Sequence, residues 1–331
     1  MLPRAVPSPA ASASPPGPGA GPARGRWGRA GGRRRSWAPY ALLSPFFVLF
    51  GAFGVFPLVA TAWASLHRVE LTAPERAEWV GLRNYTRLAG DEFFWNALGN
   101  TVAIGVLATV PQLLLALGVA HLLDVRLRGR GFFRVVALAP YATSVAAATL
   151  VFALFFGRDH GMANWVLTGL GAGPVDWQNG SWAAKSAVAS IVIWRWTGYN
   201  ALIYLAAIQT VPRELYEAAA LDGASRWRQF LHVTLPGLRP ALAFTGLVST
   251  IGATQLFGEP LLFGSGAGAS GGADRQFQTL GLYLYEQGWV NLHLGRAAAL
   301  AWTMLLILVA VCGAARLLPA VLRGRTARRA G

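Results

Sequence analysis

The sequence predicts an all-α polytopic membrane protein with six transmembrane helices and both termini cytoplasmic, on three grounds. Hydrophobic residues make up 54% of the 331-residue chain and charged residues only 13%, against roughly 25% charged in an average soluble domain. Six apolar runs are long enough to cross a hydrocarbon core, which takes about 20 helical residues each. They lie near residues 41–66, 97–123, 133–156, 186–208, 241–263 and 297–318. With the N-terminus inside, twenty basic residues fall in inside segments and eight in outside segments or at their border, the bias that sets orientation.

Residues 1–36 are mostly Pro, Gly, Ala, Ser and Arg. They have almost nothing to bury, which predicts a disordered basic cytoplasmic tail near anionic headgroups. Residues 37–331 then make the membrane domain. The first run follows a basic region, as a secretory signal does. It is too long for an h-region of about 7–15 residues and starts too far from Met1, so it is a retained span. Between the fifth and sixth runs, residues 265–273 satisfy both G-x-G-x-x-G (Gly266, Gly268, Gly271) and G-x-S-x-G (Gly268, Ser270, Gly272). Each motif needs a preceding strand and a following helix to hold its turn. Here the flanks are a membrane span and a polar outside segment, so both matches are accidental.

Composition excludes several classes. A net charge of +15 would suit nucleic acid, but the arginines flank apolar runs, so the lipid bilayer is the partner and nucleic acid is not. Cys312 lies inside an apolar run, which leaves no disulfide framework or cysteine metal cluster. His67, His121, His160, His232 and His293 are far apart and none belongs to an H-E-x-x-H pair, so no metal site is expected. No constellation of acid, base and nucleophile marks an enzyme, and no catalytic residues are assigned. A phosphate-binding loop ends in Gly-Lys-Ser/Thr, whereas the single lysine, Lys185, follows Ala184. The chain therefore holds no cofactor, and any ATP is bound and hydrolysed by another chain.

A polar interruption at 211–240 faces inside. Pro212 suits a helix's first turn, Glu214 and Glu217 complement the helix dipole, and Ala218 to Ala220 present a small surface. Asp222-Gly223 is a turn dipeptide whose glycine is free to take positive φ, and a second short helix can begin at Ala224. The product is a helix-turn-helix elbow. Its pattern of Glu217, Ala218, Ala219, Asp222, Gly223, Ala224, Phe230, Leu235, Pro236 and Pro240 resembles the EAA loop of permease subunits of bacterial ATP-binding-cassette importers. The resemblance implies that this elbow is the coupling helix, docked in a groove of the nucleotide-binding subunit with Glu217 facing a basic residue there.

Residues 79–101, Gly161-Met162-Ala163-Asn164 and residues 194–200 resemble the first of the two permeases in sugar importers of the maltose type. The large outside domain of some members is missing here, because the segments between spans are too short to hold it. Residues 276–298 look similar to permeases for cellobiose and related oligosaccharides. The resemblance implies a bacterial cell membrane location and alternating access. The implied partners are a second permease subunit, two nucleotide-binding ATPase subunits, an extracytoplasmic solute-binding protein and a sugar substrate.

Polar groups inside a membrane face a cavity or another helix. In the fifth run Thr245, Ser249, Gly252, Gln255 and Glu259 form one stripe, and in the fourth Trp196, Tyr199 and Asn200 share a face. Aromatic rings beside amides bind sugars through C–H contacts and hydrogen bonds, so a substrate pathway is expected between these helices. Helix packing through small and polar residues remains an equal reading for Thr245 and Ser249. Arg195 is expected near the outer interface with its charge snorkelling to water; a substrate contact is the other reading. Glycerol phosphate as cargo, a homodimeric permease core, a membrane-embedded enzyme and a self-sufficient secondary carrier stay open as alternatives.

Overall fold

The computed structural model describes residues 37–125, 129–264 and 270–329. The basic tail and the Gly266–Gly268 part of the glycine-rich match lie outside the described residues. The chain divides into two units, residues 1–53 and 54–331. In the first, helix α1 (Ala38–Phe50) has a proline in its first turn and exposes apolar side chains on every side, Phe46, Phe47 and Phe50 among them.

The second unit opens with α2 (Phe56–Ser65), reached through a π turn at Gly51–Val55. The predicted all-helical character is interrupted only by two-residue strands among the described residues. Strand β1 (His67–Arg68) pairs antiparallel with β2 (Glu78–Trp79), with His67 opposite Trp79. Helix α3 (Arg83–Ala89) is pinned to this ribbon by buried Asn84, whose side-chain amide donates to the carbonyls of Ser65 at 2.8 Å and His67 at 2.9 Å.

Helix α4 (Glu92–Asp124) starts at Asp91, whose carboxylate accepts from the Phe93 N–H at 3.0 Å, capping an otherwise orphaned donor. It packs along α8 (Ser181–Ile208) to form the core. At one level Ile104 and Ala108 meet Ala184, Ala187, Val188 and Ile191; at the other Ala116 and Ala120 meet Ala201, Tyr204 and Leu205. Alanine at these positions lets the two backbones approach closely, as in membrane helix pairs.

The expected third span, 133–156, is two helices. Helix α5 (Arg130–Ala142) and α6 (Val145–Phe155) meet at 90°. The Ser144 hydroxyl accepts from the Ala147 N–H, so α6 begins with its own cap instead of continuing α5. Helix α5 crosses α8 at Gly198, where a Cβ would fall on the Ala137 carbonyl; only glycine lets the backbones meet there. Helix α7 (Met162–Gly169) follows, and the loop to α8 is organised by Asn164. This residue bonds the carbonyls of Arg158 and Val175, the Val175 N–H and the Trp177 indole.

Beyond α8 come α9 (Arg213–Leu221), α10 (Arg226–Gln229), α11 (Leu235–Gly237) and α12 (Arg239–Thr254). The expected fifth span, 241–263, is also divided. The backbone leaves helical geometry at Gln255 and Phe257 before α13 (Gly258–Phe263). At 16 residues, α12 is about 24 Å long. Helix α14 (Leu280–Tyr285) leads to α15 (Leu294–Arg329), whose Leu294–Ala314 part is apolar. Among the described residues, four helices are long and apolar enough to cross a membrane: Tyr40–Ser65, Glu92–Asp124, Ser181–Ile208 and Leu294–Ala314. The bent α5–α6 pair makes up to five.

Candidate functional site

A cavity of about 770 Å³ opens between α4, α8 and α12, closed at one end by the α5–α6 bend and α13. Its polar side chains come from five separate helices and the turn after α12: Thr109, Gln112, Tyr141, Arg195, Trp196, Ser249, Gln255 and Glu259. Between them the wall is apolar, with Ile104, Val145, Val192, Val248 and Leu256. Aromatic faces beside amide and hydroxyl groups on a greasy wall suit a polyhydroxylated ring compound.

Arg195 corrects the expectation made for it. It does not snorkel to water: its guanidinium is buried, donating to Glu259 at 2.9 Å and to the Thr143 carbonyl at 3.5 Å. One side chain on α8 thus ties α13 to the break between α5 and α6. That break frees the Thr143 carbonyl, because no residue continues the helix beyond it.

Gln112 was not singled out by sequence, although it is an amide inside an apolar run immediately after Pro111. Its Nε2 donates to Ser249 at 2.9 Å, and its buried Oε1 has no hydrogen-bond partner among the described residues. Tyr141 was missed too; its ring meets Trp196 edge-on at 5.3 Å and stacks on Tyr199 at 4.6 Å.

The predicted pathway residues separate into two sets. Trp196, Ser249, Gln255, Glu259 and the intervening Gly252 share the cavity wall, although Gln255 and Glu259 lie beyond the end of α12 and not on one continuous helical stripe. Thr245 is not on that wall; it is buried in a 2.6 Å hydrogen bond with Tyr204. Tyr199 sits behind Tyr141, and Asn200 is buried with its amide nitrogen unpaired among the described residues.

The segment after α13 holds that end in place. Arg275, at φ +54, makes a bidentate pair with Glu286 at 2.6 and 2.7 Å. Its carbonyl accepts from Asn96 and Asn100 of α4. Glu286 raises the affinity of the Arg275 guanidinium for its proton, chiefly through these hydrogen bonds. Thr279 donates to the Leu256 carbonyl, which anchors the turn carrying Gln255.

The elbow forms as expected. Helix α9 ends at Asp222, and Gly223 takes φ +73. The Gly223 and Ala224 N–H groups return to the carbonyls of Ala220 at 3.0 Å and Ala219 at 2.9 Å, a glycine-terminated helix end. Ser225 caps α10. Glu217, Ala218, Leu221 and Trp227 are exposed while Ala219 and Ala224 are half-buried. Phe230 stacks on Trp227 at 5.5 Å and meets His121 of α4 edge-on at 5.3 Å. Half-buried Pro236 lies in α11. The Tyr216 hydroxyl and Thr234 bond at 3.0 Å, which fastens the elbow to the segment leading into α12.

Apolar helices around a cavity that carries a few polar side chains, with an exposed elbow at the end of one of them, define a membrane transport subunit. The chain belongs to the family of binding-protein-dependent transport system inner membrane components, which residues 112–326 match. It is 36% identical over 275 residues to the arabinooligosaccharides transport system permease protein AraP of Halalkalibacterium halodurans, covering 82% of this chain and 84% of that protein. It is 33% identical over 249 residues to the trehalose/maltose transport system permease protein MalF of Thermococcus litoralis, covering 75% and 83%. Among solved structures, a chain of a bacterial alginate ABC transporter in complex with an alginate pentasaccharide-bound periplasmic protein shares the fold. Its TM-score is 0.70 at 21% identity, with 86% of this chain and 96% of that chain covered.

Proposed function

We propose that this chain is the first of two permeases in an ATP-driven importer of neutral oligosaccharides. The cavity carries the reading: aromatic Tyr141 and Trp196 share its wall with the amides of Gln112 and Gln255, in a volume that accommodates a sugar of two or more rings. The names of the relatives supply the substrate class, arabinooligosaccharides for AraP and trehalose or maltose for MalF. A phosphorylated cargo fits less well, because the wall's single cation among the described residues, Arg195, is already committed to Glu259, and a phosphate needs free guanidinium or ammonium donors.

In this reading the chain crosses the bacterial cell membrane six times, the divided 241–263 segment supplying a span through α12 and α13. Both termini are cytoplasmic, in keeping with the distribution of arginines. Residues 1–36 form the basic tail and 37–331 the permease domain. The partners are a second permease, two nucleotide-binding subunits and an extracytoplasmic binding protein. ATP is hydrolysed by the nucleotide-binding subunits and this chain is not an enzyme. Closure of those subunits moves the Glu217–Phe230 elbow, and the helices around the cavity rock between inward and outward openings.

The elbow suits this role: a small-sided surface at Ala218 with a carboxylate at Glu217 can enter a groove and meet a basic group. Uptake of radiolabelled oligosaccharide by cells carrying the whole system tests the proposal. Uptake should survive dissipation of the proton gradient and stop on ATP depletion; the opposite pattern would assign the chain to a secondary carrier.

A further inference from the structure

Arg195 and Glu259 are the only charged side chains on the cavity wall among the described residues, and they face each other at 2.9 Å. Their charges cancel, yet the pair keeps hydrogen-bonding capacity. That capacity lies on Glu259, because a carboxylate accepts several hydrogen bonds, whereas the Arg195 Nε–H is buried and without a partner among the described residues. We propose that the Arg195–Glu259 pair is the charge filter of the pathway, admitting neutral sugars and refusing anionic ones. The inference rests on the oligosaccharide reading and adds a specificity-determining element to it.

The physics is asymmetric between the two ligand classes. A ring hydroxyl donates, so a sugar hydroxyl can give to the Glu259 carboxylate without disturbing the pair. A uronate carboxylate entering the same volume finds the guanidinium already neutralised and the Glu259 carboxylate repelling it. The apolar wall of Val145, Val192, Val248 and Leu256 screens that repulsion poorly. The anion also gives up its hydration without a free cation to replace it. Rejection is therefore built in as a repulsive group, separate from the contacts that attract the correct ligand.

The pair's placement strengthens the inference. Arg195 is held on its other side by the Thr143 carbonyl at the α5–α6 bend, so it is fixed by the fold and does not depend on the ligand. Glu259 sits in the first turn of α13, so it too is placed by the fold.

The test is direct binding to the purified permease–ATPase complex in nanodiscs, which separates this chain's preference from that of any soluble binding protein. Equilibrium dialysis would use tritiated maltotriose and cellotriose, each compared with its mono-uronate counterpart. The natural complex should favour the neutral trisaccharide at least tenfold. Glu259→Gln, which keeps the shape and leaves the guanidinium uncompensated, should shift the ratio at least tenfold toward the uronate. The double variant Arg195→Gln with Glu259→Gln should restore the neutral preference. An unchanged ratio in an assembled Glu259→Gln complex would overturn the filter and leave the oligosaccharide reading standing. A natural complex that prefers the uronates would overturn both.

Discussion

Arg195 of α8 donates to Glu259 of α13 at 2.9 Å, 64 residues further along the chain, and both side chains are nearly buried. Removing one partner of such a pair strands the other charge away from water. Glu259→Ala should therefore cost about 3–5 kcal/mol, read as a lowered thermal midpoint of the detergent-purified chain. Exchanging the two residues, Arg195→Glu with Glu259→Arg, should recover part of the loss. Equal midpoints for Glu259→Ala and the natural chain would show that the pair is not closed in the purified chain.

Gly198 marks the closest approach of α5 to α8, where an added Cβ would strike the Ala137 carbonyl. Gly198→Ala must push two backbones apart, at about 1–3 kcal/mol. Gly246→Ala meets nothing within 4 Å and serves as the control. Thermal unfolding monitored by tryptophan fluorescence should show a lower midpoint for the first and none of that loss for the second.

Thr245 and Tyr204 bond to each other away from the cavity. Tyr204→Phe removes that bond but leaves the Thr245 hydroxyl on the Ala241 carbonyl, and should lower stability by about 0.5–1.5 kcal/mol. The affinity of the purified permease–ATPase complex for a neutral trisaccharide should stay unchanged. A shift in affinity in that variant would return Thr245 to the pathway.

His293 lies just before α15, its ring partly buried and facing Arg296, with Glu70 nearby. Burial first and Arg296 second hold its pKa below the ordinary 6.5, and Glu70 offsets part of this. The folded form thus disfavours the imidazolium, so the local stability is present above pH 6.5 and is lost as pH falls below it. Hydrogen exchange across residues 290–296 should accelerate between pH 7.5 and 5.5, and His293→Gln should remove the dependence.

The long helices were legible because a span is a run of apolar residues, and runs at 97–123 and 186–208 need no partner to be seen. The bend at Thr143–Ser144 and the break at Gln255–Phe257 were not, because each run stays apolar on average across its few polar residues. Only Ser144, as a helix cap, marks the first. Gly223 was readable from the Asp-Gly dipeptide alone, and it carries the positive φ that the dipeptide predicts. Arg195 was misplaced because helical periodicity locates a residue on its own helix and says nothing of the carboxylate brought to it by another. Gln112 escaped notice because its partner, Ser249, lies 137 positions away. Asn84 and Asn164, inside the segments that carry the family resemblance, turn out to hold loops together through buried side-chain bonds.

The role proposed for the Glu217 elbow is to join this permease to a separate ATPase. Its most direct test is to tag the chain in its native host, purify it in mild detergent and identify every accompanying chain by mass. The natural chain, Glu217→Lys and Gly223→Pro would be compared; proline cannot adopt the φ of +73 found at Gly223. A second permease and an ATPase should accompany the natural chain, and the ATPase alone should be lost from both variants. Recovery of the chain alone, or equal ATPase recovery with all three, would contradict that role.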